Sequence, residues 1–491
     1  MKIAVLTREF SPKAGGAEHY AMALVEGLAA RHEVHVFAQR IEHHWPRVHY
    51  HLIRQPFKRP RFINQWWYAL ETWRQTRSGF DIVHAHENTW HGEVQTVHVL
   101  PVWIHYFEPK PGAAAWLTGV FGARTSATLL LALKWLNVLL SPRLLSYLWL
   151  ESARLSLTGR HAQRHITSVS STLTEQLLER FPLDARRVHT LMPGVWGAAG
   201  WWQQAQSELE LQPHQPQLQP PRAQDGVAQP PVAHLDWRQV LWPGGHDGPA
   251  GTAGPQDRDP FSAPALMSGE LKARARLALG LTGLGEGAGL EQRQEQHQDQ
   301  GSSLTHWLLW VGHDDKKKGL HALLKALAKV PAGVGLMVVG RGASSASARA
   351  LSASLGLDAR VAWLGPMSDV APAYWACDAL VHPTLEDTFG MVVLEAMSWA
   401  RAVVVSAPAF CGVASELTHG QEAWVLADPQ DVVALARALE AVLEPRTASA
   451  LGARAWAWAQ ARNWASVCLA QEAVYREVLQ NTPSAKDRSH G

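Results

Sequence analysis

Asp387 and Glu395 are the residues of this chain whose types and spacing point most directly to chemistry. They lie on either side of Phe389-Gly390, with seven residues between them. Asp387 falls in a loop after the apolar run Ala379-Leu380-Val381, and Glu395 falls in an apolar helix expected over 390–399. A loop that enters a helix N-terminus presents free backbone N–H groups and the positive end of the helix dipole, which together suit a phosphate. A carboxylate before that terminus and another one turn inside it can take hydroxyls on either side of the phosphate. The layout fits a ligand with sugar, diphosphate and ribose in a row; simple helix capping is the competing account. Buried carboxylates are rarely unpaired, so Glu395, set in Val392-Val393-Leu394-Glu395-Ala396-Met397, should face a polar group.

Three other stretches carry candidate chemistry. Val311-Gly312-His313-Asp314-Asp315-Lys316-Lys317-Lys318-Gly319 follows an apolar run, and its lysines can neutralise a diphosphate as point charges. Gly15-Gly16-Ala17-Glu18 lies between the first expected strand and helix, where glycine lets a ligand approach the backbone. Taken alone, each of these two reads equally well as an ordinary turn. His84, His86, His91 and His98 form a histidine-rich patch without the spacing of a zinc-protease motif. His98, at a strand end, is placed to touch a sugar hydroxyl or a developing phosphate charge. Arg54 to Arg61 followed by Trp66-Trp67 combines cations with aromatics, a surface suited to anionic lipid or a phosphorylated glycolipid, with a solvated loop beside a buried Trp pair as the equal alternative.

The elements that must position these residues alternate. Strands are expected at 2–6, 33–37, 81–84, 94–99, 165–170 and 188–191, and again at 308–311, 335–339, 361–364, 378–382 and 402–406. Helices are expected at 17–31 and 62–77 in the first half. In the second half they are expected at 319–329, 344–355, 369–376, 390–399, 412–418 and 430–443. Alternating β and α segments imply parallel sheets covered on both faces, with ligands at the C-terminal strand ends. Residues 113–158 are apolar and helical in pattern. Lys134, Asn137, Pro142 and Arg143 interrupt them, so a buried helix pair is preferred over interfacial contact, and both over a membrane span.

With 491 residues the chain should form two or three domains, and its formal charge of +2 does not argue for nucleic acid as a partner. Cys377, Cys411 and Cys468 lack metal or redox spacing and read as reduced thiols. Met1 to Leu6 runs into a strand-like segment without the length of a signal peptide, so a cytoplasmic protein is expected. The 23 tryptophans are most simply a compositional bias.

In their order along nearly the whole chain, these motifs resemble the retaining glycosyltransferases of family 4. The resemblance rests on Gly15-Gly16-Ala17-Glu18, Val169-Ser170, Pro193-Gly194-Val195, Val311-Gly312 to Lys318-Gly319, Val339-Gly340-Arg341-Gly342, Trp363-Leu364-Gly365, the Asp387-to-Glu395 signature, Ala402 to Val405 and Val425 to Pro429. It implies an α/β GT-B fold, with two Rossmann-like doubly wound domains facing an interdomain cleft. The boundaries expected are an acceptor-side domain over 1–196 and a Gln/Pro/Gly-rich insertion or linker over 197–264. A nucleotide-sugar domain follows over 265–462 with a polar insertion at 286–303, and then a crossover helix and tail over 463–491.

The resemblance also implies roles. Glu395 would hold the ribose hydroxyls, and Asp387 the donor sugar, with the backbone of Phe389, Gly390 and Met391 close to sugar and phosphate. Lys318 would stabilise the leaving diphosphate, supported by His313 and Arg341. Gly15 and Gly16 would admit the diphosphate, and His98 would touch the sugar. No metal and no cofactor is implied, since the nucleotide sugar is itself a substrate. The acceptor expected is a glycolipid or saccharide, with peripheral contact to the inner membrane face left open. A sugar-nucleotide epimerase and a non-catalytic nucleotide-sugar-binding protein are the rivals. Two departures stand out: the first acid is Asp387 where the family carries Glu, with Glu386 as an alternative, and His313 replaces the usual Arg.

Overall fold

The computed structural model describes residues 1–11, 15–57, 59–107, 123–156, 164–195, 269–281, 304–367 and 369–481. The expected insertions at 197–264 and 286–303 lie outside the described residues. The chain divides into two compact units, residues 1–193 with 464–491, and residues 194–463.

The first unit runs β1 (Lys2–Leu6), β2 (Glu9–Phe10), α1 (Gly16–Ala29), β3 (Glu33–Ala38), β4 (Arg40–Ile41), β5 (Val48–Leu52), α2 (Arg61–Thr76), β6 (Ile82–Ala85), β7 (Val94–Val97), α3 (Val102–Phe107), α4 (Ala123–Leu140), α5 (Pro142–Leu155), β8 (His165–Ser168), α6 (Ser171–Arg180) and β9 (Val188–Thr190). Seven strands form one parallel sheet in the order β5-β3-β1-β6-β7-β8-β9. The central strands are buried on both faces, as a sheet covered by helices requires. The order reverses between β1 and β6, so the loops after these two strands open the crevice where such a sheet holds a ligand.

The C-terminal helix, Trp464–Asn481, belongs to this first unit. Trp464 packs edge-on against Tyr20 of α1 at 5.2 Å. Arg31 pairs with Glu472 at 2.6 Å. Deeper, the Tyr475 hydroxyl meets His84 Nδ1 at 2.7 Å, His84 Nε2 meets Thr96 Oγ1 at 2.6 Å, and Thr96 meets Thr167 at 2.6 Å. Both nitrogens of His84 are therefore engaged in holding strands and helix together.

Of the apolar stretch expected to form a buried helix pair, 113–122 and 157–158 lie outside the described residues, and the rest is two helices broken at Ser141-Pro142. Ser141 Oγ accepts the Leu144 N–H at 3.3 Å as an N-cap, and Pro142 occupies the first turn, where its missing N–H costs nothing. The expectation of burial fails for α4. Leu139 is 67% and Leu140 73% exposed, with Leu131, Leu133, Trp135 and Leu136 also open. No described helix is long and apolar enough to cross a membrane.

The second unit runs α7 (Gly269–Ala278), β10 (His306–Val311), α8 (Leu320–Leu327), β11 (Val334–Val339), α9 (Ala346–Ser354), β12 (Val361–Gly365), α10 (Ala371–Ala376), β13 (Ala379–His382), α11 (Met391–Ser398), β14 (Ala402–Ser406), β15 (Trp424–Leu426), α12 (Val432–Leu443) and α13 (Pro445–Gln460). Its parallel sheet has the order β12-β11-β10-β13-β14-β15, which reverses between β10 and β13. Buried Leu308, Trp310, Leu336, Val338, Val381 and Val404 form the sheet side of its core. The helix expected at 412–418 is a short 3₁₀ turn, Gly412–Glu416.

Replacing Tyr475 with Phe removes the hydroxyl partner of buried His84 Nδ1. The expected cost is about 1–3 kcal/mol, read as a lower denaturation midpoint of the full chain with native far-UV circular dichroism retained.

Candidate active site

The site residues of the second unit gather at the β10/β13 reversal. The lysine turn after β10 is shaped by Asp314, whose Oδ1 accepts the backbone N–H of Lys316 at 3.1 Å and of Lys317 at 2.9 Å. Gly319 closes the turn with φ +71, and a Cβ there would lie 1.9 Å from the Pro383 carbonyl oxygen. This position needs glycine twice, for its left-handed backbone and for the approach of the loop after β13. That loop is locked to the turn by Leu385 N–H donating to Lys317 O at 2.8 Å.

The two segments meet at Asp387. Its Oδ2 accepts from Lys318 Nζ at 2.6 Å and from His382 Nε2 at 3.0 Å, while Oδ1 accepts the Phe389 N–H at 3.3 Å. Burial raises the Asp387 carboxyl pKa, but the His382 hydrogen bond and the Lys318 ammonium outweigh it and hold the group well below the usual carboxylate range. Glu386 points elsewhere. It is 43% exposed and pairs with exposed Lys317 at 3.2 Å. Asp387, not Glu386, is thus the acid that meets Lys318.

Beyond the loop, Gly390 caps α11 in a left-handed conformation, φ 99, with Phe389 buried before it and Met391 as the first helical residue. Glu395, in the second turn, is partly buried and accepts the Tyr374 hydroxyl at 2.7 Å, the polar group its apolar setting required. Burial and the Glu395 carboxylate push the Tyr374 phenol well above its ordinary value, so it remains a donor. His313 and Arg341 are exposed at the ends of β10 and β11, and the Arg341 N–H reaches His313 Nδ1 at 3.5 Å.

In the first unit, Gly15 caps α1 with extended backbone, φ −86, and its N–H donates to Glu18 at 3.1 Å. Gly16 begins the helix. His98 follows β7 and bonds His86 at 2.8 Å, with Tyr20 of α1 edge-on at 5.1 Å. Burial, then His86 and Arg154, push the His98 pKa well down, so this imidazole is neutral at pH 7. Arg8 and Glu87, on the two loops at the β1/β6 reversal, pair at 3.3 Å.

The structure adds two residues that the sequence reading passed over, His382 and Tyr374. His382 ends the apolar β13 run and is 1% exposed. A histidine closing a buried strand, immediately before the loop that carries the acid, was its one visible signal.

Two family models match. "Glycosyltransferase Family 4" covers residues 14–195 and "Glycosyl transferases group 1" covers residues 305–445. The lipopolysaccharide glucosyltransferase WaaG of Escherichia coli K12 is 32% identical over 126 residues, 25% of this chain and 33% of that protein. A D-inositol 3-phosphate glycosyltransferase of Mycobacterium bovis is 32% identical over 135 residues, 25% of this chain and 28% of that protein. The matched stretch thus spans a third or less of these relatives. Among solved structures, WaaG superposes with TM-score 0.62 at 17% identity, covering 98% of this chain and all of that one. HepE of Anabaena, solved with UDP and glucose, gives 0.58 at 15% identity with the same coverage. At these identities the likeness is one of fold, the GT-B arrangement.

The depressed Asp387 pKa has a pH consequence. Its folded value lies below the unfolded value of about 3.9, so its contribution to stability is complete above about pH 4 and is lost as pH falls through the folded value. Replacement by Asn should therefore lower the unfolding midpoint of the second unit at pH 7, and the gap to wild type should narrow progressively below pH 4. A gap that is constant from pH 7 to pH 3 would contradict this account.

Proposed function

The chain belongs to the group 1, family 4 glycosyltransferases, and from that premise we propose that it transfers a hexose-type sugar, with retention, from a nucleotide sugar to a glycolipid or cell-surface polysaccharide precursor. The observation that carries the reading is the Lys318–Asp387 pair at the β10/β13 reversal, with Glu395 in the first helix beyond it. The α11 N-terminus and Lys318 supply positive charge for a diphosphate without a metal. His313 and Arg341 flank it at neighbouring strand ends. Asp387 takes the sugar hydroxyls, Glu395 the ribose hydroxyls, and the Phe389-Gly390-Met391 backbone lies alongside. In the first unit, Gly15 and Gly16 are assigned to the diphosphate and His98 to the sugar, from their positions at C-terminal strand ends.

The step breaks the bond between the anomeric carbon and the diphosphate oxygen and forms one from the same face to an acceptor hydroxyl oxygen. The hydroxyl proton passes to the departing phosphate. Lys318 stabilises the charge that develops on that leaving group.

HepE was solved with UDP and glucose, which makes UDP-glucose the first donor to try in a thermal-shift panel beside GDP and ADP sugars. A true donor should raise the midpoint, and Glu395→Ala should weaken its binding by roughly 10–100-fold, the worth of hydrogen bonds to a charged group. Lys318→Ala should lower kcat by about 10²–10³ with less effect on donor affinity. No stabilisation by any donor would sink the reading.

A peripheral membrane site is part of the same proposal, since a glycolipid acceptor is presented at a bilayer. The open leucines of α4 and exposed Trp149 of α5 lie in the unit that also exposes Arg54, Arg59, Arg61 and Phe57. Trp66 of α2 stacks on Trp149 at 4.7 Å, which brings the basic approach to α2 beside the apolar helices. Anionic vesicles should co-sediment the protein in a salt-sensitive way, and Leu139→Glu with Leu140→Glu should reduce the bound fraction on the order of tenfold.

A further inference from the structure

The first unit also holds a histidine pair that the proposed reaction does not use. His165 opens β8 and His189 lies in the edge strand β9. Their rings are within 9° of parallel with centroids 5.2 Å apart, and His165 Nδ1 lies 2.9 Å from His189 Nε2. The two nitrogens therefore share a hydrogen bond. Glu477 of the C-terminal helix brings Oε2 to 3.9 Å from the same His189 nitrogen. One ligand atom from each of the three residues lies within 4.8 Å of the other two.

We propose that His165, His189 and Glu477 form a binding site for a zinc-type divalent cation that ties the C-terminal helix to the edge of the first sheet. Ligand atoms about 2.0–2.1 Å from a tetrahedral zinc stand roughly 3.3 Å apart. The 2.9 and 3.9 Å separations bracket that value, and the third side is within 4.8 Å; ring rotations that exchange the His165–His189 hydrogen bond for the ion close the triangle, with water as the fourth ligand. Two imidazoles and a carboxylate are a donor set suited to zinc and its first-row neighbours rather than to magnesium or calcium.

Two further observations support the site. His165 Nε2 is buried without a partner, so the ring's one protein hydrogen bond is the Nδ1 contact with His189 Nε2, which the ion replaces. His189 and Glu477 are 23% and 43% exposed, which gives an ion a route in. The other cluster of similar type among the described residues, Glu33, His35 and His49, is a poorer host. Two groups from outside the cluster already hold its ligand atoms: Lys2 Nζ lies 3.0 Å from the Glu33 carboxylate, and His51 Nε2 lies 2.9 Å from His35 Nδ1.

The test uses the full chain stripped with chelator, then titrated with zinc by calorimetry and by thermal shift. Cobalt serves as a spectroscopic probe of tetrahedral geometry. Wild type should take up one equivalent, gain thermal stability as any ligand specific to the folded state confers it, and show the intense visible bands of tetrahedral cobalt. His189→Gln and Glu477→Gln, both at partly exposed positions, should fold normally. Each should lose at least about tenfold in zinc affinity, the least that even outer-shell partners of a metal are worth. Absence of zinc uptake by wild type overturns the proposal, as does undiminished binding in both variants, which would place the ion elsewhere.

Discussion

The carboxylate of Asp387 is the constraint on which the second unit's candidate site depends. It draws together the lysine turn after β10, the end of β13 and the loop that enters α11, through Lys318, His382 and the Phe389 N–H. A charge so little exposed would be costly alone; here each oxygen has a partner. The approach is backed by main chain. Gly319 leaves no room for a side chain against Pro383, and the Lys317 carbonyl accepts from Leu385 N–H and Thr384 Oγ1. Lys318 and Asp387 are delivered to one another by backbone geometry, and the ion pair completes a contact that the fold already enforces.

The first unit solves a related problem with neutral groups. Its buried chain of hydrogen bonds from Thr167 through Thr96 and His84 to Tyr475 joins the sheet interior to a helix nearly four hundred residues later in sequence. Burial drives the pKa of His84 well below its ordinary value, so the network needs no counter-charge. Polar residues within otherwise apolar strands are tolerated because every one of these atoms is paired.

Much of the two sheets was legible in the sequence, because parallel strands buried on both faces are written as continuous apolar runs. The strands that escaped are the exceptions to that rule. Val48–Leu52 is an edge strand whose histidines and tyrosine break the apolar run, and Trp424–Leu426 is three residues long and only partly buried. Pro445–Gln460 escaped because it buries only Leu451, Gly452, Ala455 and Ala459, too thin an apolar stripe to announce a helix. In the site, Asp387, Lys318 and Glu395 could be read from spacing along the chain. Tyr374 could not, since it reaches Glu395 from another helix, and the role of His382 depends on the loop folding back toward the strand it leaves. The misreading of α4 has the same origin: apolar periodicity identifies a helix but does not identify what covers it.

The exchange of Glu for Asp at the first acidic position takes on a physical sense beside these contacts. One carbon shorter, the carboxylate sits where Lys318 and His382 both touch Oδ2. Under the proposed reading, the lysine meant for the diphosphate and the acid meant for the sugar neutralise one another while the site is empty. A diphosphate, carrying more charge than one carboxylate, competes for Lys318. As the lysine turns to it, Oδ2 loses one partner and becomes available to a sugar hydroxyl, while His382 continues to hold the carboxylate in place. Recognition of the two halves of the donor is then coupled through one oxygen atom. Free nucleotide releases an acid that has nothing to bind, and free sugar must compete with an ammonium 2.6 Å away, so only the joined ligand satisfies both groups at once.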